Sequence, residues 1–241
     1  MNPEHEPCTP LAWDSAFFGM AIARINEPAL DDTRAAAVDA WCARQRVACV
    51  YYLAPADDAA AARCAARQGF DLVEIRLEFE WQGPAGPMPT GVRAALPADV
   101  PALEAIARPS FTDSRFYVDG RFPRARCDDF YACWIRESCR PGGLADAVLV
   151  AERDGAPAAF ITCKREPGPI GRIGLVGVDA RFRGQGLGRQ IVGAAQSWFA
   201  AQGLSPVRVV TQGRNIASQR LYQRDGFLTH AVGLYYHKWY P

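Results

Sequence analysis

The chain has 241 residues, of which 49% are hydrophobic and 22% charged, a globular composition with enough apolar side chains for one large domain or two small ones. Its formal net charge of +1 gives no general electrostatic reason to expect nucleic acid or an anionic membrane as partner. No uninterrupted apolar segment is long enough to span a bilayer, and the first residues lack the basic stretch and apolar run of a secretory signal, so a cytoplasmic location is expected.

In chain order, residues 21–25 form a short strand candidate. Residues 31–46, Ala-rich with an Asp at the start, suit a helix, and residues 48–53 a strand. A second Ala-rich helix is predicted over 57–68, stopped by Gly69. Residues 70–81 alternate apolar and charged side chains as a half-buried strand does. The segment 82–91 carries three prolines and three glycines among Gln82 to Gly91 and reads as a linker. It divides an N-terminal α/β unit, residues 1–82, from a second unit, residues 91–241. In the second unit a strand is predicted at 92–96 and a helix at 99–108. Residues 109–126 are irregular, and an aromatic-rich helix covers about 128–139. Strands follow at 147–152, 158–164 and 172–178, then a long helix at 184–202, a strand at 207–211, a helix at 216–224 and a strand at 231–240. The order β-α-α-β-β-β-α-β-α-β is mixed α/β with an antiparallel half and one βαβ crossover.

The eight cysteines contain no C-x-x-C pair, which argues against zinc and for reduced thiols. Three histidines, His5, His230 and His237, lie near the ends of the chain and give a His-dependent triad or a metal site little to build from. No metal is expected.

The most informative stretch runs from Arg172 to Arg189, an apolar strand entering a Gly-rich turn and then a helix. Gly184, Gly186 and Gly188 let backbone N–H groups converge, and the helix behind them offers its free N–H groups and the positive end of its dipole. Such an assembly can bind a pyrophosphate. Glycines alone also serve a plain tight turn. The dinucleotide fingerprint fails here, because the third glycine comes one residue early and the next strand ends Val210-Thr211-Gln212 without an acid. A P-loop fails for want of Gly-Lys-Ser/Thr.

Arg-Gly-Gln-Gly-Leu-Gly at 183–188 resembles the R/Q-x-x-G-x-G/A motif of the GNAT superfamily of N-acetyltransferases. The run from Asn215 to Phe227 resembles that family's N-x-x-A/S-x-x-L-Y-x-x-x-G-F signature. The resemblance covers the chain from about residue 91 onward. It implies the GNAT fold, a mixed and mostly antiparallel sheet with helices on both faces, here preceded by the smaller α/β unit. It also implies acetyl-CoA as co-substrate, with the pyrophosphate on Arg183, Gly184, Gln185, Gly186, Leu187 and Gly188. Val176, Gly177 and Val178, on a strand that splays from the next, would offer backbone groups to pantetheine and thioester. Asn215, Ser218 and Tyr222 would complete the CoA contacts.

The chemistry needs three groups. A backbone N–H near Val178 would face the developing oxyanion. Tyr222, neutral at pH 7, would protonate the departing thiolate; packing of its helix on the sheet is the plain alternative, which the full motif disfavours. A base must take the amine's proton, and the strand 172–178 has no carboxylate where many GNAT relatives carry one.

Two further segments, Trp13-Asp14-Ser15-Ala16-Phe17-Phe18-Gly19 and Ser114-Arg115-Phe116-Tyr117 through Trp134, resemble the family of TDP-fucosamine N-acetyltransferases, as does Gly69-Phe70-Asp71-Leu72-Val73-Glu74. That resemblance implies a TDP-linked amino-deoxysugar as acceptor, for surface polysaccharide synthesis, attacked directly in a ternary complex. It implies Glu74 as a remote base through water, where an outward-facing strand carboxylate is the plain alternative. The acceptor-binding residues implied are Asp14, Phe17, Arg115, Tyr117 and Arg121. Arg115, Arg121, Arg124 and Arg126, interleaved with aromatics, suit a nucleoside diphosphate or, more plainly, a solvated loop. The partner expected is this small molecule, with a homodimer as the assembly if any. The alternatives are acetylation of another primary amine (aminoglycoside, polyamine or protein N-terminus) and, from another class, a non-catalytic acyl-CoA-binding module.

Overall fold

The computed structural model describes residues 6–241, so His5 lies outside the described residues. In chain order the elements are β1 (Cys8–Pro10), α1 (Ala12–Phe18), β2 (Ile22–Ile25), α2 (Asp32–Gln45), β3 (Cys49–Pro55), α3 (Ala59–Arg67), β4 (Asp71–Trp81), β5 (Val92–Ala94), α4 (Val100–Ala107), α5 (Arg115–Asp119), α6 (Arg124–Ser138), β6 (Ala147–Arg153), β7 (Ala156–Arg165), β8 (Gly171–Val178), α7 (Leu187–Ala201), β9 (Val207–Gln212), α8 (Ile216–Arg224) and β10 (Leu228–Trp239). The chain is mixed α/β and divides into two compact units. One takes the residues up to Arg76 together with Asp113–Arg126 and Ala231–Pro241; the other takes Leu77–Thr112 and Cys127–His230. By contacts the division therefore falls inside β4, and two later segments join the N-terminal part.

In the first unit the strand order is β1-β2-β3-β10. The parallel pairing of β2 with β3 requires a crossover, which α2 provides. Asp31 starts that helix by accepting from the Arg34 N–H at 2.7 Å, and Ala35, Val38, Trp41 and Cys42 form its buried stripe. Cys49 to Tyr52 are all buried, as the continuous apolar run of β3 demands of a strand flanked on both sides. β10 closes its other edge antiparallel, from Gly233 opposite Pro55 to Trp239 opposite Cys49. Lys238 and the Tyr240 hydroxyl both reach Asp39 of α2 at 2.7 Å, tying the end of the chain to that helix.

In the second unit the order is β4-β9-β8-β7-β6-β5. β5 to β8 pair antiparallel, and α7 carries the chain across to β9, which lies parallel to β8. The helix expected over 184–202 begins later, at Leu187, because Gly184 and Gly186 take φ of 78° and 84°, which right-handed helix excludes. The stretch expected to be irregular over 109–126 contains α5, and α6 already begins at Arg124. The Pro/Gly-rich 82–91 segment is irregular as its composition predicts, yet it is fastened to α7. Ser197 Oγ donates to the Gly86 carbonyl at 2.9 Å and Gln190 Nε2 to the Thr90 carbonyl at 2.6 Å.

β7 and β8 lose register between Ile161 and Cys163, a bulge that places Gly174 and Leu175 against Thr162. The Leu175 N–H, displaced from the ladder, donates instead to Thr162 Oγ1 at 2.7 Å. Gly174 has no room for a side chain, since a Cβ would stand 2.6 Å from that same oxygen. Thr162→Val keeps the side-chain shape but removes the acceptor, leaving the buried Leu175 N–H unpaired. It should lower the unfolding free energy by about 1–3 kcal/mol in urea denaturation, without a change in slope.

Candidate active site

The second unit contains one set of the residues singled out in the sequence. β8 pairs with β9 only from Gly171 to Ile173, opposite Val207 to Val209, and then continues to Val178 without further pairing on that side. The Asp179 N–H donates to the Ala158 carbonyl at 2.8 Å, which makes Val178 and Ala159 a non-hydrogen-bonded pair. The N–H and C=O of Val178, and by alternation those of Val176, are therefore directed away from β7, to the side from which β9 has departed. The Val178 carbonyl accepts there from Arg183 Nε at 3.2 Å.

Beyond β8 the Asp179 carboxylate accepts from the Arg181 N–H at 2.9 Å and pairs with the Arg181 guanidinium at 2.7 Å, closing a short 3-10 turn over Ala180–Phe182. Arg183, Gly184, Gln185 and Gly186 follow, all exposed. Gly186 occupies the N-cap position of α7 and supplies no side-chain oxygen, so the first N–H groups of a 15-residue helix face outward without a cap. Leu187 anchors the first turn in the core, and Gly188 follows it in the same turn. Gln185 Nε2 steadies the loop by donating to the Arg181 carbonyl at 3.3 Å.

β9 ends at Gln212, and Asn215 caps α8 just beyond by accepting from the Ser218 N–H at 3.1 Å. About two turns later Tyr222 is buried, its ring centroid 6.0 Å from Phe79 and 5.8 Å from Phe227. Burial pushes its hydroxyl well above the usual phenol range, so it stays protonated at any ordinary pH. Val176, Val178, the 183–188 loop, Asn215, Ser218 and Tyr222 thus all belong to one unit, at the ends of β8 and β9 where the two strands part.

The other set lies in the first unit. Asp14 and Phe17 are on α1, Arg115 and Tyr117 on α5, Arg121 just after it, and Glu74 on β4. Glu74 is buried, and its Oε2 accepts from the Arg115 N–H at 3.1 Å, holding the start of α5. Burial raises the Asp14 carboxyl above its usual range, and the positive charge of Arg115 only partly offsets this. The arginines are stacked on rings. Arg115 lies 4.3 Å from the Phe116 centroid, 4.5 Å from Tyr235 and 5.0 Å from Tyr51. Exposed Arg124 lies 4.6 Å from Tyr117 and Arg126 4.3 Å from Phe17. Arg121 faces Trp239 at 5.8 Å and pairs with Asp71 at 3.0 Å.

The first unit also contains a pair that sequence reasoning passed over. His237 is fully buried, and its Nδ1 lies 2.5 Å from Asp119 Oδ2, which also accepts from Trp239 Nε1 at 2.9 Å. Burial works to raise the Asp119 carboxyl, but the hydrogen bonds from His237 and Trp239 outweigh it and hold the group ionised. An ionised carboxylate only accepts, so Nδ1 carries the imidazole proton. Nothing in the sequence joins residues 118 positions apart.

The family model described as "Acetyltransferase (GNAT) family" matches residues 101–227, more than half of the chain. The dTDP-fucosamine acetyltransferase of Escherichia coli O6:H1 is 28% identical over 93% of this chain and 94% of its own length. The spore coat polysaccharide biosynthesis protein SpsD of Bacillus subtilis is 28% identical over 59% of this chain and 48% of that protein. A GCN5-related N-acetyltransferase from Kribbella flavida shares the fold, with a TM-score of 0.65 at 18% identity over 97% of this chain and 87% of that one.

The buried imidazole has a measurable consequence. Burial pushes His237 down from 6.5 to about 4, so the unfolded chain takes up its proton first as pH falls. Stability from this group is complete above about pH 6.5 and is lost as pH falls toward 4; between pH 8 and pH 5 the loss should be about 2 kcal/mol. Urea denaturation across that interval should show the decline in the wild-type protein and most of it absent in His237→Phe.

Proposed function

Because this chain belongs to the acetyltransferase (GNAT) family, we propose that it moves the acetyl group of acetyl-CoA onto the amine of a TDP-linked amino-deoxysugar such as TDP-4-amino-4,6-dideoxygalactose. The observation that carries the donor half is the parting of β8 from β9 beside an uncapped α7. The CoA pyrophosphate lies on residues 183–188, where outward N–H groups and the helix dipole favour an anion. Pantetheine extends along Val176 to Val178 and past Asn215 and Ser218, substituting for the pairing that β9 no longer gives.

The amine nitrogen attacks the thioester carbonyl, and the Val178 N–H, on a strand fixed by β7, faces the oxyanion without having to reorganise. Collapse of that intermediate forms the amide and breaks the C–S bond. Tyr222, which burial keeps protonated, gives its proton to the leaving thiolate and regains one from solvent once CoA has left. The proton lost by the amine leaves through water to Glu74, the buried carboxylate of β4. No metal takes part in this scheme.

The acceptor half is supported by the name of the relative that matches nearly end to end and by the polysaccharide role in the name of the second. The arginine and aromatic cluster of the first unit suits a thymidine diphosphate: guanidinium groups match phosphate, and rings can stack on a base. Such an enzyme works in the cytoplasm and supplies a precursor for surface polysaccharide, alone or as a homodimer.

Two measurements test this reading. Acetyl-CoA consumption is assayed against TDP- and UDP-linked amino sugars, aminoglycosides, polyamines and peptide N-termini. The TDP-amino sugar should be turned over best, millimolar TDP should inhibit, and Arg115→Ala should weaken that inhibition. Turnover of a peptide or polyamine with indifference to TDP would leave the acetyltransferase assignment and remove the nucleotide sugar. Separately, Tyr222→Phe keeps the ring and removes the proton. It should lower kcat by roughly a hundredfold with acetyl-CoA affinity unchanged; an unchanged kcat returns Tyr222 to packing alone.

A further inference from the structure

Among the buried polar atoms of the first unit that have no hydrogen-bond partner among the described residues are the Tyr51 hydroxyl and Nε2 of His237. Their rings stack with centroids 4.5 Å apart and planes 26° from parallel. A buried polar group left unpaired costs about 1–3 kcal/mol, and folded proteins leave few of them. Two side by side mark a place that a ligand completes.

The chemistry of that ligand follows from Asp119. With the imidazole proton held on Nδ1, Nε2 presents a lone pair and requires a donor. The Tyr51 hydroxyl can donate or accept. A phosphate cannot serve Nε2, because it brings no hydrogen, whereas a hydroxyl serves both atoms at once. Aromatic rings stand beside charged groups here: Phe122 is edge-on to His237 at 5.7 Å, and Trp239 lies 5.0 Å from Phe122, while Asp14 and Arg115 act on Tyr51. Half-buried Arg115 covers the Tyr51 ring, so the two atoms lie one side chain below the surface of the unit. Hydroxyl groups on an apolar C–H frame are the chemistry of a deoxysugar.

We propose that His237 and Tyr51 form the recognition site for a hydroxyl of the acceptor sugar, which donates to Nε2 and accepts from Tyr51, with Asp119 as the positioning residue that fixes the imidazole tautomer. The inference rests on the nucleotide-sugar reading above, and its test separates the two. Binding of TDP and of TDP-4-amino-4,6-dideoxygalactose is measured by calorimetry on the wild-type protein and on His237→Phe, Tyr51→Phe and Asp119→Asn. The last variant keeps an amide oxygen facing both Nδ1 and the Trp239 N–H, so it retains the tautomer and removes only the charge. His237→Phe and Tyr51→Phe should bind TDP as the wild type does and lose about tenfold of the additional affinity given by the sugar, one hydrogen bond's worth, and Asp119→Asn should lose less. Tyr51→Phe should do so with an unchanged or higher Tm, since it deletes an unpaired hydroxyl. Sugar affinity equal to wild type in Tyr51→Phe and His237→Phe, as with a buried water as the only occupant, overturns the proposal. An equal weakening of TDP and TDP-sugar, as general damage would give, also overturns it. Should the wild-type protein ignore TDP, the nucleotide reading fails by itself. The variants are then read by KM for the amine turned over best, where a tenfold rise supports the hydroxyl site and an unchanged KM overturns it.

Discussion

A β-strand that stops pairing leaves a row of amide and carbonyl groups that must bond to something else. In this protein that constraint falls on β8 after Ile173. The antiparallel partner β7 holds the strand rigid on one side, and the bulge at Thr162 turns it just before the unpaired part begins. Gly174 exists to let the Thr162 hydroxyl reach the displaced N–H, so the turn is built from a side chain and the absence of another. The uncapped start of α7 repeats the theme, with a second group of donors left open a few residues further along the chain. Two adjacent sets of unsatisfied backbone groups make a surface suited to a long, polar, flexible molecule better than to a compact one.

The first unit is organised on the opposite principle. Several of its acidic groups fasten one segment to another. Glu74 accepts from the start of a five-residue helix, Asp119 from an imidazole and an indole, and Asp39 from Lys238 and Tyr240. Most of these contacts join β10 or the 113–126 segment to elements from the first third of the chain, so the charges act as fasteners in a region where few residues are contiguous. Arg115 stacks on three rings, whose faces attract a cation.

Much of this was legible in the sequence. The strands and helices of the second unit stand where periodicity put them, because alternating and 3.6-residue patterns report burial directly. The start of α7 was misjudged by three residues, since glycines that follow a strand look the same whether they open a helix or precede it; only their positive φ decides. α5 was hidden because five residues carry no periodicity of their own. The His237 and Asp119 pair was invisible for a different reason. Both partners are isolated polar residues in aromatic surroundings, and their meeting depends on where two distant segments are packed. The family motifs mark residues 183–188 and 215–227 because a phosphate loop is local in sequence. The residues proposed for the acceptor come from several separate elements and share no such local mark.

The pairing of β3 with β10 has a consequence for synthesis. Cys49 and Trp239 are neighbours in the sheet and 190 residues apart in the chain. As the nascent chain emerges, β2 and β3 can pair early, but the far edge of β3, with its run of Cys49, Val50, Tyr51 and Tyr52, has no strand to meet until β10 is made. At about 5–20 residues per second that edge stays open for roughly ten to forty seconds. An open apolar edge is the usual template for pairing with another chain. The strand that waits longest for this partner is thus one whose residues 49–52 end fully buried.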